Sequence, residues 1–331
     1  MPGMDWKLEL PYCVPESELP APLPTIAEIA AGDVIIDHNG VTVARVGPHF
    51  IVKYGEVRQL SLIEGENMIF VRKSTNGKVK VPKVYALYTE RNPLFTDPTR
   101  PPIVDPFTPP PDKGTSSLAD QNYIVMEYIE GSTTLKDAWP SLTDHEKRAI
   151  ATQLKKYFGY LHEIPHSGYY GSIGKRALTF GMFWTPIPDP LINGPFATEE
   201  DLNEGLALKY MQQCDYRSVY KQEFYRLAMR NVFKGHPPRF THLDFRGKNI
   251  LIKRLPAGDA GGQELDARTP EFEVTLIDWE FAGWLPDHWE YSMAMLGQNF
   301  QDDWPVWVRR VLEPFDAEFP WLQMLMEELW S

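Results

Sequence analysis

The run Phe240-Thr-His-Leu-Asp-Phe-Arg-Gly-Lys-Asn-Ile-Leu-Ile carries His242, Asp244 and Asn249 in the spacing H-x-D-x-x-x-x-N, leading into an apolar stretch. An Asp beside an acceptor hydroxyl can take its proton, and an Asn further along the loop can reach a magnesium ion, so the pattern suits phosphoryl transfer. His242 needs no titration in this setting and reads as a hydrogen-bonded support of the loop. Further on, Leu276-Ile277-Asp278-Trp279-Glu280 sets a second carboxylate at the end of another apolar run. Asp278 and Asn249 together offer the hard oxygen ligands that magnesium requires. Upstream, Phe50-Ile-Val-Lys53 puts a lysine inside an apolar strand. A charge there is costly unless it is paired or faces a cleft. Glu64 and Glu66 follow as its two candidate partners, and a lysine held in this way could reach the α- and β-phosphates of a nucleotide.

These residues need elements to hold them. Asp33–Asp37, Val41–Val46 and Phe50–Tyr54 are short β-branched runs separated by His38-Asn39-Gly40 and by Gly47-Pro48. Turn chemistry at that spacing predicts three antiparallel strands. A helix is expected from Leu60 to Arg72, then strands at Val79–Tyr88 and Tyr123–Ile129. Residues 93–111 contain eight prolines and form neither helix nor central strand, so they read as a long surface insertion. Past Gly131 the pattern turns helical. Thr143-Asp-His-Glu146 is a capping box followed by Ile150, Leu154, Phe158 and Leu161 on one face. Thr198-Glu-Glu-Asp201 opens a second helix, and a third is expected over residues 217–232, with Tyr220, Phe224, Leu227 and Ala228 at helical spacing. Asn249–Ile252 and Val274–Asp278 read as strands joined by a loop at 256–270. The tail from Trp289 is helical and aromatic. The resulting division is an arm over 1–25, a β-rich lobe over 26–130 that contains the 93–111 insertion, and a helical lobe over 131–331.

The chain has 331 residues and a net charge of −12. Its acidic balance argues against a general nucleic-acid or anionic-membrane binder. It permits a cationic small-molecule partner, although solubility alone explains many acidic chains. Two cysteines, Cys13 and Cys214, give neither a disulfide framework nor metal-ligand spacing. The first ten residues lack the apolar segment of a secretion signal, and no window is long and apolar enough to span a membrane. A cytoplasmic protein is the expectation.

Lys53, a helix acid, Met126-Glu-Tyr-Ile-Glu-Gly131 as a hinge, H-x-D-x-x-x-x-N and I-D-W-E occur in the order used by protein-kinase-like enzymes. In detail the chain resembles the aminoglycoside phosphotransferase and choline-kinase branch, and a group of fungal kinase-like proteins within it. Val81-Pro-Lys-Val, Leu161-His-Glu-Ile-Pro, Gly168-Tyr-Tyr-Gly, Gly194-Pro-Phe and the run from Asp278 to Tyr291 carry that likeness, over about residues 30 to 295. The resemblance implies an α+β, two-lobed protein-kinase-like fold with an antiparallel N-lobe, a mostly helical C-lobe and a nucleotide cleft. It implies an ATP- and Mg2+-dependent phosphotransferase acting on a hydroxyl of a small acceptor. On that basis Asp244 matches the base, Asn249 and Asp278 the magnesium ligands, and Lys53 the phosphate-binding lysine. Glu64 is then the preferred partner of Lys53, with Glu66 the fallback. The backbone at Glu127 to Ile129 would take the adenine, and Arg246 would touch the transferred phosphate. The chain departs from the pattern in lacking a G-x-G-x-x-G loop and in having Leu243 where most relatives have glycine. No A-P-E segment follows Asp278, which argues against a protein kinase. A nucleotide-binding pseudokinase and an atypical protein kinase are the rival readings. Seven of the ten tryptophans lie between Trp279 and Trp330 among acids, which suits either core packing or a cage for an amine.

Overall fold

The computed structural model describes residues 6–91, 120–166, 168–212, 217–255, 272–297, 300 and 302–329. The 93–111 and 256–270 stretches and Cys214 lie outside the described residues. Contacts divide the chain into two units: Lys7–Phe70 with Val81–Glu130, and Val71–Lys80 with everything from Gly131 onward, Trp6 counting with the second.

The first unit is an antiparallel sheet. Its elements are β1 (Tyr12–Cys13), α1 (Ile26–Ala30), β2 (Asp33–His38), β3 (Val41–Val46), β4 (Phe50–Glu56), α2 (Ile63–Ser74, which from Val71 counts with the second unit), β5 (Val84–Arg91) and β6 (Asp120–Glu127). The strand order is β1-β5-β6-β4-β3-β2. Asn39 and Gly40 both take positive φ, 50° and 74°, which is what a two-residue turn between β2 and β3 demands. Along β4, alternation sends Phe50 and Val52 into a cluster with Val14, Ile29, Tyr85, Tyr123 and Val125. The same alternation turns Lys53 to the opposite face. There α2 lies very close to β5, because a Cβ on Gly65 would stand 2.2 Å from a methyl of Leu87. Glycine in mid-helix costs about 1 kcal/mol against alanine, and here it permits that approach.

Two sequence expectations need correction in this unit. Strand β5 starts at Val84 rather than Val79, because Pro82 has no N–H to give a ladder. Part of the arm is a sixth strand: Tyr12 pairs with Leu87 and Cys13 with Ala86. The sequence around it is too short and proline-rich to show a period.

The second unit contains β7 (Thr133–Thr134), α3 (Leu135–Ala138), α4 (Asp144–His162), α5 (Pro190–Asn193), α6 (Glu199–Gln212), α7 (Val219–Val232) and β8 (Pro238–Thr241). It continues with β9 (Ile250–Arg254), β10 (Phe272–Leu276), β11 (Gly283–Pro286), α8 (His288–Leu296), α9 (Trp304–Val311) and α10 (Phe319–Leu329). Both bonds of the Thr143/Glu146 capping box are made, and Ile150, Leu154, Tyr157, Phe158 and Leu161 are buried on one face of α4. On α7 the buried residues are Gln222, Tyr225 and Met229, while Tyr220, Phe224 and Leu227 are exposed. The apolar spacing indicated the wrong face. Gln222 donates to the Ala207 carbonyl of α6 at 3.0 Å and Tyr225 packs edge-on against Tyr210, so a satisfied polar residue takes a core position.

Candidate active site

Two strand pairings build the site in the second unit. β8 pairs with β11 (Thr241 opposite Gly283), and β9 pairs with β10 (Ile250 opposite Leu276). The β8–β9 loop, with Asp244 and Asn249, therefore lies beside the β10–β11 loop, with Asp278. One backbone bond joins them: Ile277 N–H donates to the Asn249 carbonyl at 3.0 Å.

His242 clamps the same two loops. Its Nδ1 accepts from the Asp244 N–H at 3.2 Å, and Nε2 stands 2.9 Å from the Ile277 carbonyl, which can only accept. The ring is thus the neutral Nε2–H tautomer. It is 1% exposed and stands 4.5 Å from the Trp279 ring, and burial holds its pKa below the usual histidine value. The expected supporting role fits this geometry.

Leu243 carries φ +70° and Asp278 φ +66°, a region that side chains other than glycine, Asn and Asp rarely enter. The Leu243 backbone is held in that shape from two sides. Its side chain is 1% exposed within the cluster formed by α6, α7, α8 and α10. Its N–H, with that of His242, points to the Glu290 carboxylate of α8, at 3.3 and 2.5 Å. Glu290 is buried, and burial pushes its pKa up to about 7 despite the two N–H donors.

Around Asp244 the charges are compact. Asn249 Nδ2 donates to its Oδ2 at 2.7 Å and to its carbonyl at 3.0 Å. Arg246 Nε is 2.8 Å from Oδ1 and Lys248 Nζ is 3.3 Å from Oδ2. With its amide nitrogen committed to Asp244, Asn249 turns its Oδ1 away from that carboxylate. Asn249 Oδ1 and the Asp278 carboxylate are hard oxygens on adjoining loops, a donor set suited to magnesium.

In the first unit, Lys53 Nζ donates to Glu64 Oε2 at 2.6 Å, and both side chains are largely buried. Glu66 is also buried. At the end of β6, Glu127 N–H donates to the Lys83 carbonyl and Tyr128 N–H to the His49 carbonyl, both at 2.9 Å. Those two donors are committed, so a base read at Glu127 to Ile129 would have to use other backbone groups of the segment.

Sequence reasoning did not assign Lys248 or Glu290. Lys248 sits inside the same motif, four residues after Asp244, where a basic side chain can fold back. The signal for Glu290 is a carboxylate within the apolar run Trp289-Glu-Tyr291, whose burial demands donors. The tryptophans favour packing over a cage. Trp279, Trp284 and Trp289 are fully buried, and the indole N–H groups of Trp139 and Trp307 both donate to Asp303 at 2.8 Å. Asp303, Asp316 and Glu328 are ion-paired with Lys147, Arg309 and Arg217.

No family model matches the sequence, and no curated protein matches it. Solved structures do. A choline kinase, LicA from Streptococcus pneumoniae, is 14% identical over 90% of this chain and 82% of its own, with a TM-score of 0.47. The aminoglycoside phosphotransferase APH(2'')-Ib, bound to ADP, is 13% identical over 89% of this chain and 79% of its own, with a TM-score of 0.48. An aminoglycoside-3'-phosphotransferase of type VIII is 14% identical over 90% of this chain and 93% of its own, with a TM-score of 0.45. Scores this low leave the functional reading to rest on the chain's own residues. Among the described residues no helix is long and apolar enough to cross a membrane.

Proposed function

We propose that this protein is a phosphotransferase that moves the γ-phosphoryl group of ATP to a hydroxyl of a small molecule, with Asp244 as the base. The observation that carries the reading is the Asp244 carboxylate, oriented by the Asn249 amide at 2.7 Å on a loop whose backbone is fixed by Glu290 and His242. Asp244 accepts the hydroxyl proton as the acceptor oxygen attacks phosphorus. The new P–O bond forms while the bond to the β-phosphate oxygen breaks, and ADP leaves. A positioned base of this kind contributes about 10²–10⁴-fold. Arg246 and Lys248 keep the carboxylate in place and offset the negative charge of the transferring group.

Lys53, fixed by Glu64, holds the α- and β-phosphates in this reading, and the Glu127–Ile129 backbone takes the adenine. Asn249 and Asp278 would hold Mg2+, which when bound would neutralise phosphate charge. The experiment is transfer of labelled γ-phosphate to a panel of hydroxylated and aminated metabolites. Label on a small acceptor supports the reading. Label on peptides alone, or on nothing, overturns it.

A further inference from the structure

Three segments distant in sequence converge elsewhere in the second unit. Glu199 is the first residue of α6, His236 lies in the connection from α7 to β8, and His288 is the first residue of α8. One ligand atom from each lies within 4.8 Å of the others. The His288 ring is fully buried, stacked on Phe233 at 4.8 Å, and neither of its nitrogens has a hydrogen-bond partner among the described residues. A buried imidazole without partners requires a physical explanation, since almost all buried polar groups in native proteins are satisfied.

We propose that Glu199, His236 and His288 bind a divalent first-row transition-metal ion of the zinc class, at a structural site separate from the candidate active site. Two imidazoles and a carboxylate select such an ion over magnesium or calcium, which prefer all-oxygen shells. The surroundings are those of a supported ligand set. Glu199 uses Oε2 to accept the Gly235 and His236 N–H groups, at 2.8 and 3.0 Å, while Oε1 is hydrogen-bonded to His236 Nδ1 at 2.7 Å, a contact that a bound ion would replace. With Nδ1 as the ligand, His236 Nε2 faces Glu318 Oε1 at 3.5 Å, the carboxylate–histidine–metal arrangement. An imidazole nitrogen of His288 without a proton offers a lone pair to a metal. At bond lengths of about 2.0–2.1 Å, tetrahedral ligands stand about 3.3 Å apart, so binding an ion spreads Glu199 Oε1 and His236 Nδ1 from 2.7 Å by about half an ångström and draws His288 in by about 1.5 Å at most.

The consequence reaches the active site through the backbone. The segment with His236 runs into β8 and then His242–Asp244, and His288 precedes Glu290 on α8. A metal here ties the two supports of the Asp244 loop to the start of α6.

The test uses the full chain, stripped with a chelator and titrated with Zn2+ against a competing chromophoric chelator in excess Mg2+, which occupies oxygen-only sites. The expected result is about one equivalent bound per chain, a higher unfolding temperature, and visible d–d bands of a low-symmetry site on Co2+ substitution. His236→Gln, at a partly exposed position, and His288→Phe, which keeps the ring stack, should each weaken binding at least about tenfold and remove those bands. Failure of the parent to bind stoichiometrically overturns the proposal. So does binding that His236→Gln leaves unchanged, a result independent of whether His288→Phe folds.

Discussion

Replacing Glu290 by glutamine isolates the buried carboxylate that shapes the Asp244 loop. Glu290 is raised from 4.5 to about 7, chiefly by burial. Between those two values the folded state binds more protons than the unfolded state, so stability falls as pH rises. The group's contribution is full below about pH 4.5 and is lost as pH passes about 7. At about 1.36 kcal/mol per pH unit, the parent loses about 2–3 kcal/mol from this group between pH 5 and pH 8. Glutamine keeps an acceptor for the His242 N–H but introduces a buried NH2 that needs a partner of its own, a cost of about 1–3 kcal/mol. Glu290→Gln is therefore expected to be less stable than the parent at pH 5 by that amount. At pH 8 it should be close to the parent or above it. Every tryptophan among the described residues belongs to the second unit, so urea unfolding followed by tryptophan fluorescence reports on the unit that contains Glu290. A parent-minus-variant difference that stays constant within about 0.5 kcal/mol from pH 5 to pH 8 would refute the charge-burial argument.

Two further outcomes follow from the same geometry. Leu243→Gly removes a left-handed conformation worth about 1–2 kcal/mol of strain but also a buried side chain worth more, about 2–5 kcal/mol. The variant should unfold at lower urea, and a stabilised variant would show that strain outweighs packing there. Lys53→Met leaves Glu64 buried without its cation, which costs about 3–5 kcal/mol. It should speed hydrogen exchange in β4 and α2 and weaken Mg-ATP binding at least about tenfold. Unchanged affinity would remove Lys53 from phosphate binding.

Much of this was legible in the sequence because the signals are local. Asn39-Gly40 dictates a turn through φ, the Thr143/Glu146 box caps a helix through bonds three residues apart, and the Asp244 and Asn249 side chains meet within a single loop. What was not legible depends on partners far along the chain. The buried face of α7 is set by a carbonyl on α6, so apolar spacing pointed to Tyr220 and Phe224 instead. β1 exists only because β5 offers it an edge. Glu290 belongs to the site through two N–H groups more than forty residues earlier, so the apolar run around it in α8 hints at a buried carboxylate without naming its partners. Leu243 shows the converse. A leucine holds φ +70° here, a conformation that favours glycine, because burial and Glu290 fix its backbone.

The most direct test of the central claim compares the parent with Asp244→Asn in transfer of labelled γ-phosphate to the best acceptor of the panel, alongside Mg-ATP affinity. Asparagine has the same shape and can still accept from Asn249, but it cannot take a proton. The expected result is turnover lowered by about 10²–10⁴-fold with nucleotide affinity unchanged within a few-fold. Turnover within tenfold of the parent would contradict the assignment of Asp244 as the base.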